Sequence, residues 1–235
     1  MNRSPDWASA LQEIPRHDWP EFLNAHSGLP GPRANLSLLR AAVELGDADL
    51  FESLVESDEE YGVMCAAAWQ GTQAWHRASL RLLRTHALDD RWRVREGVAI
   101  GLQILGDRDP AALIRIARDW ALDSEPLRQR AAVVAICEPR LLTNSATRNV
   151  ALEICRLTTE HFVTWDDRMR RSPDARNLRQ ALGYCWSVVV ASDPDATLDV
   201  FRALDRNVPD IDWIVHQNSR KARLSRVLQS SRALH

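Results

Sequence analysis

The feature that most constrains the fold of this chain is a helical pattern that returns several times along the sequence. Its clearest copy spans residues 89–107, in which Val94, Val98, Leu102 and Leu105 fall on one face at helical spacing. Acidic residues open this segment, and a Gly-Asp pair closes it where a helix needs a turning residue. The segment therefore predicts an amphipathic helix whose apolar face must pack on a neighbouring helix.

Related segments follow downstream, beginning at Leu127, Leu178 and Val215. The successive intervals from Val94 are 33, 51 and 37 residues, close to the period of helical-pair repeats apart from one insertion. No segment alternates apolar and polar residues between turn signals, so we expect no strands. The sequence therefore predicts an all-α fold, an α-solenoid of stacked antiparallel helix pairs.

We expect one domain over residues 1–235, made of three parts. Residues 1–32 are rich in proline and contain aromatic residues that can cap an open end, 33–212 hold the repeats, and 213–235 form a basic C-terminal helix. Within the repeats, residues 61–69 are small and apolar on nearly every side, which predicts an inner helix surrounded by others.

Helix starts are marked where a capping side chain precedes a proline, because proline lacks the N–H that would be unpaired in a first turn. This pattern occurs at Asp109-Pro110, Ser172-Pro173 and Asp193-Pro194. The helices predicted from it and from periodicity cover 110–122, 125–137, 145–161, 173–191, 194–205 and 210–229.

Charge is nearly balanced overall but unevenly distributed. The net charge is −2, yet seven acidic residues and no basic one lie between Asp47 and Glu60. The 23 residues from Trp213 onward carry five basic side chains and no acidic one, so they hold +5 against −7 for the first 212 residues. The basic end can contact nucleic acid, an acidic partner or the protein's own acidic surface.

Several classes of function are excluded by missing motifs. The glycines form neither a phosphate loop nor a dinucleotide fingerprint, and the histidines show no metal-ligand spacing, so we expect no cofactor, nucleotide or metal. No apolar run is long enough to span a membrane. The four cysteines form no Cys-x-x-Cys pair and are typical of buried core residues in a reducing compartment, which indicates a cytoplasmic protein.

Tryptophan and arginine are the remaining candidates for function. The chain has nine tryptophans, and all its basic residues except Lys221 are arginine. Tryptophans at these positions can pack between helices, or they can form an aromatic wall on a concave face where neighbouring arginines hold phosphates. Both interpretations remain open at the level of sequence.

The middle of the chain contains five short motifs with a shared resemblance. They are Asp-Pro-Ala-Ala-Leu at 109–113, Asp-Trp-Ala at 119–121, Leu-Arg-Gln-Arg-Ala-Ala at 127–132, Leu-Arg-Gln-Ala-Leu-Gly-Tyr at 178–184 and Asp-Pro-Asp at 193–195. In residue type and spacing they resemble the HEAT-like-repeat DNA glycosylases of the AlkD type. The resemblance implies a HEAT-like α-solenoid whose concave arginine-rich face wraps duplex DNA and promotes loss of cationic alkylated bases, with an aromatic pair and a carboxylate beside the damaged nucleotide.

The resemblance also assigns residues. Arg130 falls where the family has a DNA-contacting arginine, and Tyr184 falls where it has a tryptophan. The ungapped register places Arg95 at the catalytic carboxylate, where its positive charge would repel a cationic base. A shift of one residue instead offers Glu96 with Trp92, which share a helix face.

These observations predict a non-catalytic HEAT-like binding module that contacts DNA through an arginine and aromatic concave face. The predicted DNA-binding residues are Trp92, Arg95, Arg128, Arg130, Arg179, Tyr184, Trp213, Lys221 and Arg223. The alternative is an AlkD-like glycosylase that excises cationic alkylated purines with Glu96 as its catalytic residue. A further alternative is a protein–protein scaffold that uses the acidic stretch between Asp47 and Glu60.

Overall fold

The computed structural model describes residues 5–232 and, over that range, consists of helices and loops without strands, which confirms the all-α prediction. Parts of the predicted N-terminal cap and basic C-terminal helix, residues 1–4 and 233–235, lie outside the described residues, as does the side chain of Arg232. The α-helices are α1 Trp7–Gln12, α2 Trp19–Ala25, α3 Leu36–Leu45, α4 Ala48–Glu56, α5 Glu60–Thr72, α6 Arg77–His86, α7 Trp92–Arg108, α8 Pro110–Ala121, α9 Pro126–Ile136, α10 Ser145–Thr164, α11 Asp167–Arg170, α12 Pro173–Ser192, α13 Pro194–Arg202, α14 Pro209–Ser219 and α15 Ala222–Arg232.

The helix starts predicted from capping residues are confirmed. The side chains of Asp109, Ser172 and Asp193 each accept a hydrogen bond from the backbone N–H three residues later, at 2.9, 3.1 and 3.3 Å. Each bond satisfies one of the N–H groups that have no partner within the helix. These caps set the first residues of α8, α12 and α13.

One predicted boundary is wrong, because the helix expected over 210–229 is two helices. The chain turns at Arg220 and Lys221, between α14 and α15. Just before the turn, the buried Asn218 side chain accepts from the backbone N–H of Ser187 (2.8 Å) and donates to the carbonyl of Leu182 (2.8 Å) on α12. These hydrogen bonds hold the C-terminal end of α14 against α12. The chain turns after them, and α15 packs on α12 as well.

The chain folds into two compact units, Met1–Ile104 and Leu105–His235, with the boundary inside α7. In the first unit, α2, α3, α4 and α6 all pack against α5, whose residues from Tyr61 to Ala68 are buried. The inner helix predicted from its small apolar residues is therefore confirmed. Aromatic residues of the N-terminal segment, such as Trp19, belong to the core of this unit.

Helices α7 and α5 are in direct contact at two glycines of α7. A Cβ atom at Gly97 would lie 2.3 Å from the carbonyl oxygen of Met64, and one at Gly101 would lie 2.2 Å from that of Ala68. No side chain fits at either position, so the two helix backbones touch directly. Gly97 and Gly101 are thus required by packing.

In the second unit α12 is central. It packs against α9, α10, α13, α14 and α15, and α8 packs on α9. Trp120 and Trp186 are fully buried, and the indole N–H of Trp186 donates to the hydroxyl of Thr159 (3.0 Å). For these two tryptophans the core-packing interpretation is correct. Among the described residues, no helix is sufficiently long and apolar to cross a membrane.

Candidate anion-binding surface

Five predicted site residues of the second unit form cation–aromatic clusters along α12, namely Arg179, Tyr184, Trp213, Lys221 and Arg223. The first cluster joins Arg179 to Trp213, with the guanidinium carbon 4.7 Å from the ring centroid. Trp213 lies close to α12 because Gly183 has no side chain, and a Cβ there would be 2.9 Å from the indole ring. Arg179 also pairs with Asp210 at 2.5 Å, so part of its charge is neutralised within the protein.

The second cluster is centred on Tyr184, which is 41% exposed. Arg223 donates a hydrogen bond to its hydroxyl (2.7 Å) and places its guanidinium 4.9 Å from the ring centroid. The ammonium of Lys221 lies 5.7 Å from the same ring. The turn between α14 and α15 brings both cations to α12, and no pattern in the sequence indicated this turn.

Arg130 on α9 belongs to the same neighbourhood. Contact with Cys137 and burial raise the pKa of the Cys185 thiol, while the positive charges of Arg130 and Arg223 act in the opposite direction. Arg130 therefore lies on the helix that packs against α12, within electrostatic reach of the residue next to Tyr184. Arg128 lies elsewhere on α9 and pairs with the largely buried carboxylate of Asp123 at 3.1 Å.

The predicted residues of the first unit are arranged differently. Arg95 is only 9% exposed, and its guanidinium donates to the carbonyl oxygens of Asp90 (2.9 Å) and Asp89. It therefore closes the loop that precedes α7 instead of pointing to solvent. Trp92 is 46% exposed with the guanidinium of Arg93 over its ring at 4.5 Å, and Glu96, one turn along α7, is half-buried.

A cavity of about 500 Å³ lies beside the first cluster, where the start of α12 meets the start of α14. It is lined by Asp167, Arg170, Arg171, Arg176, Arg179, Pro209 and Asp210. Four guanidiniums thus face two carboxylates. The helix α14 also begins here without a side-chain cap, so its N-terminal dipole adds positive potential.

The charges in this cavity are partly paired. Asp167 contacts Arg170 and Arg171, and the hydrogen bond from Arg170 is the main reason that the pKa of Asp167 is lowered. Arg176 donates to the carbonyl oxygen of Arg171 (2.6 Å). The acidic and basic residues around 167 form local ion pairs at a turn, but they also border a cavity that sequence spacing did not reveal.

Two further observations concern metal binding and similarity to known proteins. Within residues 5–231, no group of three or more His, Cys, Asp or Glu side chains is placed to hold a metal ion. Comparisons with protein-family models, curated proteins and solved structures gave no match.

Proposed function

We propose that this chain is a non-catalytic binding module that contacts duplex DNA through one surface of residues 105–232. This surface, called here the basic aromatic surface, consists of Arg179, Tyr184, Trp213, Lys221 and Arg223. The observation that carries the proposal is the pair of cation–aromatic clusters along one helix, next to a cavity with four arginines.

The chemistry of this surface suits a phosphate backbone. Within residues 5–231, neither Lys221 nor Arg223 pairs with a carboxylate, so both cations can bind phosphate oxygens without first breaking an ion pair. The half-exposed ring of Tyr184 can pack on a sugar or base while the cations hold phosphates. Because the whole chain is slightly acidic, binding would depend on this local field.

We further propose that the helices stack as a HEAT-like α-solenoid. In support, several helices of the second unit pack side by side, α8 on α9, α9 on α12 and α12 on α14. Three helices of this unit, α8, α12 and α13, begin with proline after an acidic or hydroxyl cap. A repeated arrangement would present the basic aromatic surface along an extended groove.

A cytoplasmic location is part of this proposal. Cys65, Cys137, Cys155 and Cys185 are buried free thiols. The sulfur atoms of Cys137 and Cys155 are 3.5 Å apart and not bonded to each other. Unbonded neighbouring thiols agree with a reducing compartment.

The test is fluorescence anisotropy of a labelled duplex titrated with protein across a salt series. For the native chain, we expect the logarithm of the association constant to fall linearly with the logarithm of salt concentration. Arg223→Gln should lower that slope by about 0.9, the value for one phosphate contact, and should weaken binding roughly tenfold at low salt. Tyr184→Leu should weaken binding with little change in slope.

The matched control is Arg156→Gln, which removes an exposed arginine of α10 paired with Glu160. If Arg156→Gln weakens binding as much as Arg223→Gln, the basic aromatic surface is not the contact. Absence of binding at low salt would reject the proposal and leave the protein scaffold that uses the acidic stretch between Asp47 and Glu60.

One observation favours the glycosylase as a second candidate. The guanidinium of Arg95 is turned into the loop before α7, while Trp92 stays exposed with Arg93 over its ring, and Glu96 lies one turn away. A carboxylate beside an aromatic ring can stabilise the positive charge that develops when an alkylated base leaves. Release of 3- or 7-alkylated purines from duplex DNA, lost in Glu96→Gln, would replace the non-catalytic proposal.

A further inference from the structure

A second cavity, of about 460 Å³, lies in the first unit. Helices α4 and α6 both pack against α5, and the cavity occupies the space between them. Its lining residues include Phe51, Glu52, Glu56, Trp69, Gln70 and Leu82. None of them belongs to the basic aromatic surface.

The walls of this cavity are apolar and partly aromatic. Phe51 and Trp69 stack with ring centroids 5.0 Å apart and planes 20° from parallel. On the opposite side Leu82 of α6 is 52% exposed, although it is a large apolar residue. A volume of this size between an aromatic pair and an exposed leucine suits a small organic molecule.

Two buried polar atoms of lining residues have no partner among the described residues. They are Oε1 of Gln70, a residue only 6% exposed, and Nδ1 of His86. Burial lowers the pKa of His86, so its ring is neutral near pH 7. The Gln70 oxygen accepts hydrogen bonds only, and turning its terminal amide, a broad torsion, can direct it into the cavity. A buried acceptor without a donor is costly, so a ligand N–H would be stabilising there.

The charge of the lining is negative. Glu52 and Glu56 lie one turn apart on α4, both exposed at the cavity, and within residues 5–231 neither forms a salt bridge. Two like charges at this spacing repel each other. With no arginine or lysine in the lining, the cavity offers two carboxylates and a buried amide oxygen to a cation.

We propose that this cavity binds an organic ammonium ion with an aromatic or otherwise apolar body. The ammonium would lie against Glu52 and Glu56 and donate to the Gln70 oxygen. The apolar body would lie between Leu82 and the partly exposed ring of Trp69, which the buried Phe51 supports from behind. Aromatic faces attract cations as well as apolar groups, so the Trp69 ring can contact both parts of the ligand. This site does not depend on the DNA-binding proposal.

The test is isothermal titration calorimetry of the full chain with 2-phenylethylammonium. The neutral 2-phenylethanol and the anionic 3-phenylpropionate serve as isosteres. We expect one ammonium to bind per chain, roughly tenfold more tightly than the alcohol, since the two carboxylates and the aromatic face attract the cation. The anion should not bind measurably.

Variants distinguish the charge of the site from its shape. The double variant Glu52→Gln with Glu56→Gln should remove the preference for the ammonium over the alcohol while leaving the alcohol's affinity unchanged. Leu82→Ala, at an exposed position, should weaken both. Glu44→Gln, which changes an exposed carboxylate of α3 outside the lining, is the matched control.

Three results would overturn the proposal. They are no ammonium binding at millimolar concentration, equal binding of all three compounds, and an unchanged preference in the double glutamine variant. Thermal unfolding of each variant checks that it is folded. Failure of the DNA test would leave this result untouched, because no residue is shared.

Discussion

At the scale of single residues, hydrogen-bond acceptors decide which arginines can bind a ligand. Arg95 donates to two carbonyl oxygens of its own loop, and Arg128 pairs with Asp123. Arg223 instead contacts a tyrosine, which leaves donors for a phosphate. Sequence spacing does not distinguish these arginines, because the acceptors near each guanidinium depend on the folded structure.

His161 provides a prediction about pH. Its Nδ1–H donates to the Gln129 side-chain oxygen (3.0 Å), and burial lowers the pKa of His161 while the charge of Glu160 opposes this. The unfolded chain takes up the proton near the ordinary value of 6.5, whereas the folded chain resists it until lower pH. The free energy of unfolding should therefore be highest above that value and decrease as pH falls from 7 to 5.

Urea unfolding at pH 7 and pH 5 measures this effect. In His161→Gln the decrease should be smaller than in the native chain, because the titrating group is gone. The exposed His216 of α14 supplies the control, and His216→Gln should keep the native decrease. A decrease that is the same in His161→Gln and in the native chain would contradict the assignment.

At the scale of helices, the contact between α5 and α7 depends on glycine. Helix propensity alone favours alanine over glycine within a helix by about 1 kcal/mol. At Gly101, however, a methyl group would overlap the Ala68 carbonyl oxygen at 2.2 Å. The backbones would have to separate, and overpacking of this kind typically costs about 1–3 kcal/mol.

We therefore expect Gly101→Ala to destabilise the protein by about 2 kcal/mol or more, measured by urea unfolding. The control is Gly62→Ala in α5, where the nearest atom to an added Cβ is a methyl carbon of Leu54 at 3.2 Å that can move aside. This control should change stability by less than about 1 kcal/mol. A stabilised Gly101→Ala protein would show that propensity outweighs packing here.

At the scale of the whole molecule, opposite charges are concentrated in different parts of the chain. The acidic stretch from Asp47 to Glu60 belongs to the first unit and contributes Glu52 and Glu56 to one cavity. The basic residues Lys221 and Arg223 belong to the second unit and contribute to the basic aromatic surface. The net charge of −2 conceals both.

Because the two proposed sites share no residue, changes at one should not affect the other. We expect Arg223→Gln to leave the affinity for 2-phenylethylammonium unchanged, and the Glu52→Gln with Glu56→Gln variant to leave the salt slope of DNA binding unchanged. Effects at positions that share no partners add. Calorimetry and anisotropy on the same protein preparations measure both, and a change of either affinity by the other site's variant would indicate coupling.

Local chemistry was enough to predict the helical class, the caps at Asp109, Ser172 and Asp193, and the inner helix at 61–69, because these depend on residues a few positions apart. Contacts between distant segments produced the rest. The break at Arg220 follows from the hydrogen bonds of Asn218 to α12, the need for Gly101 follows from its contact with Ala68, and the arginine-lined cavity lies where the start of α12 meets the start of α14. The apolar cavity depends on how the successive helices α4, α5 and α6 pack. A single sequence records which side chains are present, whereas the folded chain sets which of them meet.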